Sequence, residues 1–394
     1  MSTLKVDAIR HNSATSDAIT TVADGTCTAK LTSVGGGGLS HRNLVINGAM
    51  LVAQRSTSDT GNGYTTVDRV THYRANVNEN PTFSQSDVAA GTTPYKLGFR
   101  KAFKITNGNQ TGGIAATNQI QVDYRFEAQD IANSGWDYTS SSSFITVSFW
   151  VKSSVAQDFK YHLRTTDGTN RNYHFNTGSL TANTWTKIIK TIPGDSNITM
   201  DNNSDKGMEL MLFSQYGTNL TGSFTNNAWS NWSASERTQD QTLTWYATND
   251  ATYEITGVQV EVGDTATSFE HRSYAEELAR CQRYYYRIDA DSAGQGFGMG
   301  YQMTSSAAKI LINLPVTMRA KATSVETSGT ASDYSVARTS TYEVCNAVPT
   351  FANATIYAVQ VNTNQTQASL STGQSVLLRS HSANFFLGFS AELT

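Results

Sequence analysis

The residues best suited to binding chemistry sit in one polar stretch, Ser214-Gln215-Tyr216-Gly217 through Asn226-Asn227-Ala228-Trp229-Ser230-Asn231-Trp232. Flat aromatic faces stack on the C–H faces of sugar rings, while Asn, Gln and Ser side chains suit sugar hydroxyls. Trp229 and Trp232, with Tyr216 beside them, are therefore the candidate glycan-binding residues. Large aromatics in β-sandwiches also plug the ends of the core, and that packing reading weighs slightly more for the two tryptophans.

Catalytic chemistry finds less footing. There is no G-x-S-x-G elbow, P-loop or H-E-x-x-H, and the histidines (His11, His41, His72, His162, His174, His271 and His381) are scattered, which suits surface positions. A glycosidase needs two carboxylates across a sugar, and Asp123, Glu127, Asp289 and Asp291 are open to that role. No β-helix-like repeat accompanies them, so an enzyme is not expected and a polysaccharide depolymerase is a remote alternative. Cys27, Cys281 and Cys345 are odd in number and far apart, forming neither a zinc pattern nor a full disulfide framework; they read as reduced packing residues. Asp201-Asn202-Asn203-Ser204-Asp205 offers hard oxygen ligands but departs from an EF-hand loop, so an Asx-rich turn is the simpler account.

The 394 residues are 38% hydrophobic and 15% charged, with a net charge of −3. Low charge with abundant Ser, Thr, Asn and Gly favours strands and turns, and the absence of a basic stripe argues against a nucleic-acid partner. No stretch is long and apolar enough for a membrane helix, and Met1-Ser2-Thr3-Leu4-Lys5-Val6-Asp7 lacks the apolar core of a secretory signal, so synthesis in a cytoplasm is expected.

These residues must be positioned by β structure. The clearest strand is 145–152, where Ile145, Val147, Phe149 and Val151 alternate with Thr146, Ser148, Trp150 and Lys152. Further strands are expected at 160–164, 185–192, 209–213, 242–247 and 253–262, separated by turns such as Asp167-Gly168. Strands without helices between them indicate an antiparallel, jelly-roll sandwich. Ser273 caps a short helix with Glu276 and Glu277 in its first turn, and Tyr274, Leu278 and Cys281 recur at helical spacing as its packing face.

Beyond it, strands are expected at 310–316, 355–361, 375–379 and 385–389. In Gly294-Gln295-Gly296-Phe297-Gly298-Met299-Gly300-Tyr301, alternation puts four glycines on one face, open to a facing sheet or a sister subunit; a glycine-rich loop is the equal alternative. Tyr284-Tyr285-Tyr286 reads as packing on both faces. The first forty residues hold only thinly spaced apolar side chains around an Asp24-Gly25 turn, followed by Gly35-Gly36-Gly37-Gly38, so that segment needs neighbours to bury anything.

Three stretches resemble tail-fibre and virion structural proteins of marine phages, notably those of cyanobacteria. They are Ser2-Thr3-Leu4-Lys5-Val6-Asp7-Ala8-Ile9; Arg42-Asn43-Leu44-Val45-Ile46-Asn47-Gly48-Ala49-Met50 with Ala53-Gln54-Arg55 and Tyr64-Thr65-Thr66-Val67-Asp68-Arg69; and the run from Gly257-Val258-Gln259-Val260-Glu261-Val262-Gly263-Asp264 through Phe269-Glu270-His271-Arg272 to Glu277-Leu278-Ala279-Arg280-Cys281-Gln282-Arg283-Tyr284-Tyr285. Leu314-Pro315-Val316-Thr317-Met318-Arg319-Ala320 looks like the strand that opens the C-terminal domain of such fibres, though Ala322 stands where a proline often follows. The resemblance implies a homotrimer in the phage tail, an N-terminal arm that docks on other virion proteins, a central sandwich similar to carbohydrate-binding modules, and a tip facing host polysaccharide, with loops at 340–346 and 381–384 as host contacts. Sandwiches of that kind often carry a structural calcium, which stands as the alternative to no cofactor.

The expected architecture is mainly β: an extended arm (1–42), a jelly-roll β-sandwich (43–272), one short linking helix (273–286) and a C-terminal β domain (287–394). The expected function is host attachment through multivalent glycan contacts. A purely architectural connector or capsid decoration is the alternative.

Overall fold

The computed structural model describes Val6, Ala8–Ile9, Ile19–Thr21, Cys27–Ala29 and residues 41–338, 341–365 and 371–394. The Asp24-Gly25 turn and the Gly35–Gly38 run lie outside the described residues. Strands β1 (Ala8–Ile9), β2 (Ile19–Thr21) and β3 (Cys27–Ala29) pair antiparallel in a small sheet.

The sandwich follows. In chain order its strands are β4 (Ser58–Asp59), β5 (Val70–Ala75), β6 (Thr82–Asp87), β7 (Lys101–Thr106), β8 (Gln119–Glu127), β9 (Phe144–Ser153), β10 (Asp158–Thr165), β11 (Arg171–Ser179), β12 (Thr186–Pro193), β13 (Lys206–Tyr216), β14 (Thr221–Gly222), β15 (Trp229–Asn231), β16 (Thr238–Gln239) and β17 (Thr252–Val262). They form a six-stranded front sheet in the order β15-β11-β10-β13-β8-β5 and a six-stranded back sheet in the order β12-β9-β17-β7-β6-β4, with β14 and β16 as a separate parallel pair. The two sheets make the jelly-roll sandwich. Alternation in β9 buries Ile145, Val147, Phe149 and Val151 completely, as period-two patterning requires. Tyr161 and Tyr253 cross the core from opposite sheets with hydroxyls 2.5 Å apart, and Tyr253 also donates to the Leu212 carbonyl at 2.8 Å.

Three short helices, α1 (Thr93–Lys96), α2 (Ala128–Ala132) and α3 (Thr244–Ala247), interrupt the strands. The third corrects the strand expected at 242–247. Trp245 and Tyr246 are adjacent yet both wholly buried, which a strand with alternating faces does not favour. The Asn107 amide donates to the carbonyls of Trp245, Tyr246 and Thr248 at 3.2, 2.8 and 3.0 Å, so the helical turn is capped from a residue distant in sequence.

Helix α4 (Tyr274–Gln282) joins the units, and the Ser273 hydroxyl accepts from the Glu276 amide at 3.3 Å. Its buried face is Glu277 and Cys281; Tyr274 is 59% exposed, contrary to the expected packing face. Glu277 is kept inside by the Asn47 amide at 2.5 Å and Arg272 at 3.5 Å, a charged solution that hydrophobic spacing does not reveal. Cys281 and Cys345 are buried free thiols.

The C-terminal unit has strands β18 (Tyr285–Asp289), β19 (Gly296–Gln302), β20 (Ala307–Asn313), β21 (Val325–Thr327), β22 (Tyr334–Arg338), β23 (Thr341–Ala354), β24 (Ala358–Gln365), β25 (Ser375–Ser380) and β26 (Phe386–Ser390). A closed barrel, β19-β20-β24-β23-β22-β25, stands beside the sheet β18-β26-β21. Residues 341–346 belong to a strand and not to a loop. Strand β20 stops at Asn313, short of Pro315, and residues 314–320 are irregular where a strand was expected. Tyr284 and Tyr285 are buried and Tyr286 is half-buried, as the packing reading required.

The glycine alternation is broken by a bulge between Gly296 and Gly298. Phe297 turns inward and stacks on Phe385 with centroids 4.3 Å apart, while Met299 and Tyr301 point outward. Gly298 and Gly300 face the neighbouring strand so closely that a Cβ on Gly300 would lie 1.9 Å from the Lys309 carbonyl oxygen. The glycine face therefore packs within the barrel.

Candidate functional site

The outer face of the front sheet is built by strand parity. In β8, Ile120, Val122 and Tyr124 enter the core, which turns Gln121, Asp123 and Arg125 outward. In β10, Tyr161 and Leu163 are core, which turns His162 and Arg164 outward. Strand β13 adds Glu209, Met211 and Tyr216 to the same face. Residues 217–240 then return to this sheet: 229–231 join its edge as β15, a pairing extended by the Asn227 amide on the His174 carbonyl at 2.8 Å and the Trp232 amide on the Asn170 carbonyl at 3.0 Å, while Phe224, Trp232 and Arg237 lie over the outer face.

A cleft of about 210 Å³ lies between the sheet and that segment, lined by Gln121, His162, Arg164, Glu209, Met211, Tyr216, Trp232 and Arg237. Two of the three residues expected to bind glycan meet here. Trp232 is half-buried beneath the Arg164 guanidinium, 3.7 Å from its ring centroid. Tyr216 is only 2% exposed and donates to the Gln121 side-chain oxygen at 2.7 Å; burial, then neighbouring Asp123, push its hydroxyl well above the usual range. Trp229 is not in the cleft. It pairs with Tyr173 across β11 and β15 on the core side, stands edge-on to that ring at 5.4 Å, and donates from Nε1 to the Pro193 carbonyl at 2.7 Å.

Glu209 is the hub of the ion pairs at the cleft. Arg164 reaches Glu209 at 3.0 Å, Lys206 reaches it at 3.6 Å and Arg125 at 4.0 Å. Asp123, next to this cluster, is raised by burial and then by the Glu209 charge. Burial, with Arg164 beside it, lowers His162 to about 3, and burial lowers His174 to about 3. These two, like His72, are 1% exposed, which corrects the expectation of surface histidines. The His174 ring stacks on Phe224 of the covering segment at 4.0 Å.

The other candidate carboxylates are not brought together. Glu127 is locked by Arg283 at 2.9 Å and the Tyr284 hydroxyl at 2.5 Å, while Asp289 pairs with Arg287 at 2.7 Å. Residues 201–205 form a turn in which Asn203 accepts from the Asp205 amide at 2.9 Å and Asp205 faces Arg319 at 3.6 Å. The Asp167 carboxylate accepts from the Asp201 amide at 2.9 Å, and among the described residues no three His, Cys, Asp or Glu side chains group as metal ligands.

Aromatic content alone did not identify Arg164, Glu209, Gln121 or Arg237. Reading β8 and β10 by parity finds Gln121 and Arg164; only the course of residues 217–240 brings Arg237 above them.

No protein-family model matches the chain, and neither does any curated protein. Solved structures similar to it include tailspike protein 4 of bacteriophage CBA120, an enzymatically active domain, at 10% identity and a TM-score of 0.31 over 56% of this chain and 21% of that one. A CBM4 structure aligns at 14% identity and 0.28 over 55% of this chain and 99% of that one. The N-terminal cellulose-binding domain of Cellulomonas fimi β-1,4-glucanase C aligns at 8% and 0.26 over 55% and 99%. The chain thus spans about a fifth of the tailspike domain. At these scores none of them assigns a function to this chain.

Proposed function

We propose that this chain is a non-enzymatic virion protein, a phage tail fibre or related host-attachment protein, that binds host surface glycan in the front-sheet cleft. The observation that carries the reading is the cleft itself. It joins an aromatic ring, Trp232, to amide, carboxylate and guanidinium groups from Gln121, Glu209 and Arg164 of the sheet and Arg237 of the segment above it. A hydroxyl-rich ring with an apolar face satisfies both halves of that surface, and the strands hold Gln121, Arg164 and Glu209 in place without loop ordering.

Attachment then works by avidity. The strands β1, β2 and β3 are only two or three residues long, too short a sheet for independent stability, which supports an arm completed by sister chains in a homotrimer and docked on other tail proteins. Three weak sites on one trimer raise effective concentration enough for durable adhesion. The connector reading has one observation in its favour: the covering segment leaves Tyr216 2% exposed and Arg164 lies over the Trp232 ring, so the cleft is narrow.

The purified protein, once its solution mass is measured as three copies, is incubated with host cells and with host lipopolysaccharide. Saturable retention, reduced at least tenfold by Trp232→Ala, is the expected result. Retention that is absent in the trimer sinks the receptor role in favour of the connector, and a monomeric mass removes the fibre.

A further inference from the structure

On the outer face of the back sheet, Trp150 of β9 stands directly opposite Lys187 of β12. Beside them a second cleft of about 210 Å³ is lined chiefly by Phe99, Ser148, Trp150, Lys187, Phe269 and His271. It lies on the far side of the sandwich core from the Trp232 cleft and shares no residue with it.

The cleft is a constructed feature of the fold. Gly257 holds φ +64°, and a Cβ there would lie 2.6 Å from the Phe99 ring, so this backbone shape without a side chain is what lets Phe99 seat against β17. Phe99 and Phe269 meet edge to face at 4.9 Å, and His271 lies 5.1 Å from the first ring and 4.9 Å from the second. The imidazole is oriented by Nε2 donating to the Leu97 carbonyl at 2.9 Å. Trp150 is left half-buried, one wall of an aromatic trough with the Ser148 hydroxyl beneath it.

Its charge has one sign. No carboxylate lines the cleft. Lys152, the neighbouring lysine on β9, is tied to Glu254 at 2.8 Å, whereas Lys187 is exposed and makes no ion pair among the described residues. An ammonium beside an open indole, with no internal counter-charge, complements an anion that also carries an apolar face. The cleft is also smaller than the roughly 300 Å³ at which pockets for larger ligands begin, which limits it to about one ring.

We propose that this is a second carbohydrate subsite and that it takes a uronic-acid unit of an anionic polysaccharide. The pyranose C–H face lies on Trp150, the carboxylate meets the Lys187 ammonium, and the His271 imidazole closes the far side. The site acts independently of the Trp232 cleft, so an acidic glycan chain can be held whether or not the front sheet is engaged.

Isothermal titration of the full chain with trimers of galacturonate, glucuronate, mannuronate and guluronate, alongside neutral galactotriose, tests it. At least one uronate is expected to bind ten times more tightly than galactotriose, and more weakly as salt rises. Lys187→Gln is expected to erase that difference and Trp150→Ala to abolish binding, while Trp232→Ala leaves it unchanged. Lys187 is exposed, so its variant folds even if Trp150→Ala does not, and Trp150→Phe retains the ring. Failure of all four uronates to bind, or undiminished binding by Lys187→Gln, overturns the proposal without touching the front cleft; loss in Trp232→Ala alone overturns it in favour of that cleft.

Discussion

Arg69 of the sandwich and Glu392, 323 residues later, form an ion pair at 2.5 Å with 1% and 5% of their side chains exposed. The guanidinium also lies 3.4 Å from the Tyr284 ring centroid and donates to the Arg125 carbonyl at 2.7 Å. Arg55 reaches the same carboxylate at 3.3 Å while stacked on Tyr285. The sandwich thus buries a cation whose counter-charge comes from the C-terminal unit.

Removing that counter-charge leaves Arg69 desolvated and unpaired. Glu392→Ala is expected to destabilise the protein by about 3–5 kcal/mol in denaturant titration, with the loss reported by sandwich tryptophans as well as by the barrel. A change below about 1 kcal/mol would mean that water already reaches the pair.

What could be read from the sequence follows the range of the interaction. The β9 alternation and the Ser273 cap are set by neighbours a few residues away, and both stand in the structure. The α3 turn was hidden because Thr242 to Ala247 is rich in residues that also favour strands, and its cap comes from Asn107, far off in sequence. The bulge at Gly296 and Gly298 inverts every side chain after it, which strict alternation cannot anticipate. Trp229 and Trp232, three residues apart in an extended segment, fall on opposite faces by parity, but only the pairing of β15 with β11 decides which one meets the core and which the cleft. Arg69 and Glu392 carry no mutual mark in the sequence, since only the finished topology brings them together.

The two tryptophans should separate stability from binding. Trp229→Ala removes a ring packed on the core and its bond to the Pro193 carbonyl, so a loss of about 3 kcal/mol is expected. Trp232→Ala removes a partly exposed cation–π contact, so about 1 kcal/mol is expected. Equal losses in thermal or denaturant unfolding would show that Trp232 is a core residue and would weaken its assignment to the cleft.

Gly300→Ala tests the barrel wall. The added methyl group would meet the Lys309 carbonyl oxygen and the Ile310 Cα, both backbone atoms that cannot rotate away. Strands β19 and β20 must separate to admit it, with an expected cost of about 3 kcal/mol. Circular dichroism melting reads the effect, and Gly329→Ala, at a position with open space but φ +80°, is the comparison that isolates backbone strain from collision. A Gly300→Ala variant as stable as wild type would place these glycines away from β20.

Acid should loosen the segment that covers the front cleft. His162 and His174 fall from 6.5 to about 3 because burial disfavours their charged forms, with Arg164 and Arg237 also facing His162 and His162 facing His174. In the window between those values the unfolded chain binds protons that the native chain does not, so their contribution to stability falls as pH drops below about 6.5. At pH 5 the loss reaches about 2 kcal/mol for each histidine. Asp123 works in the opposite sense, since its raised pKa favours the native state as pH falls, and for that reason the informative quantity is the difference between wild type and His162→Gln/His174→Gln rather than the raw curve. Wild type is expected to lose stability relative to this variant between pH 7 and pH 5, and because His174 stacks on Phe224, hydrogen exchange in residues 217–240 should rise first. Parallel pH profiles for the two proteins would show that the imidazoles are hydrated and that the segment is not held down by keeping them neutral.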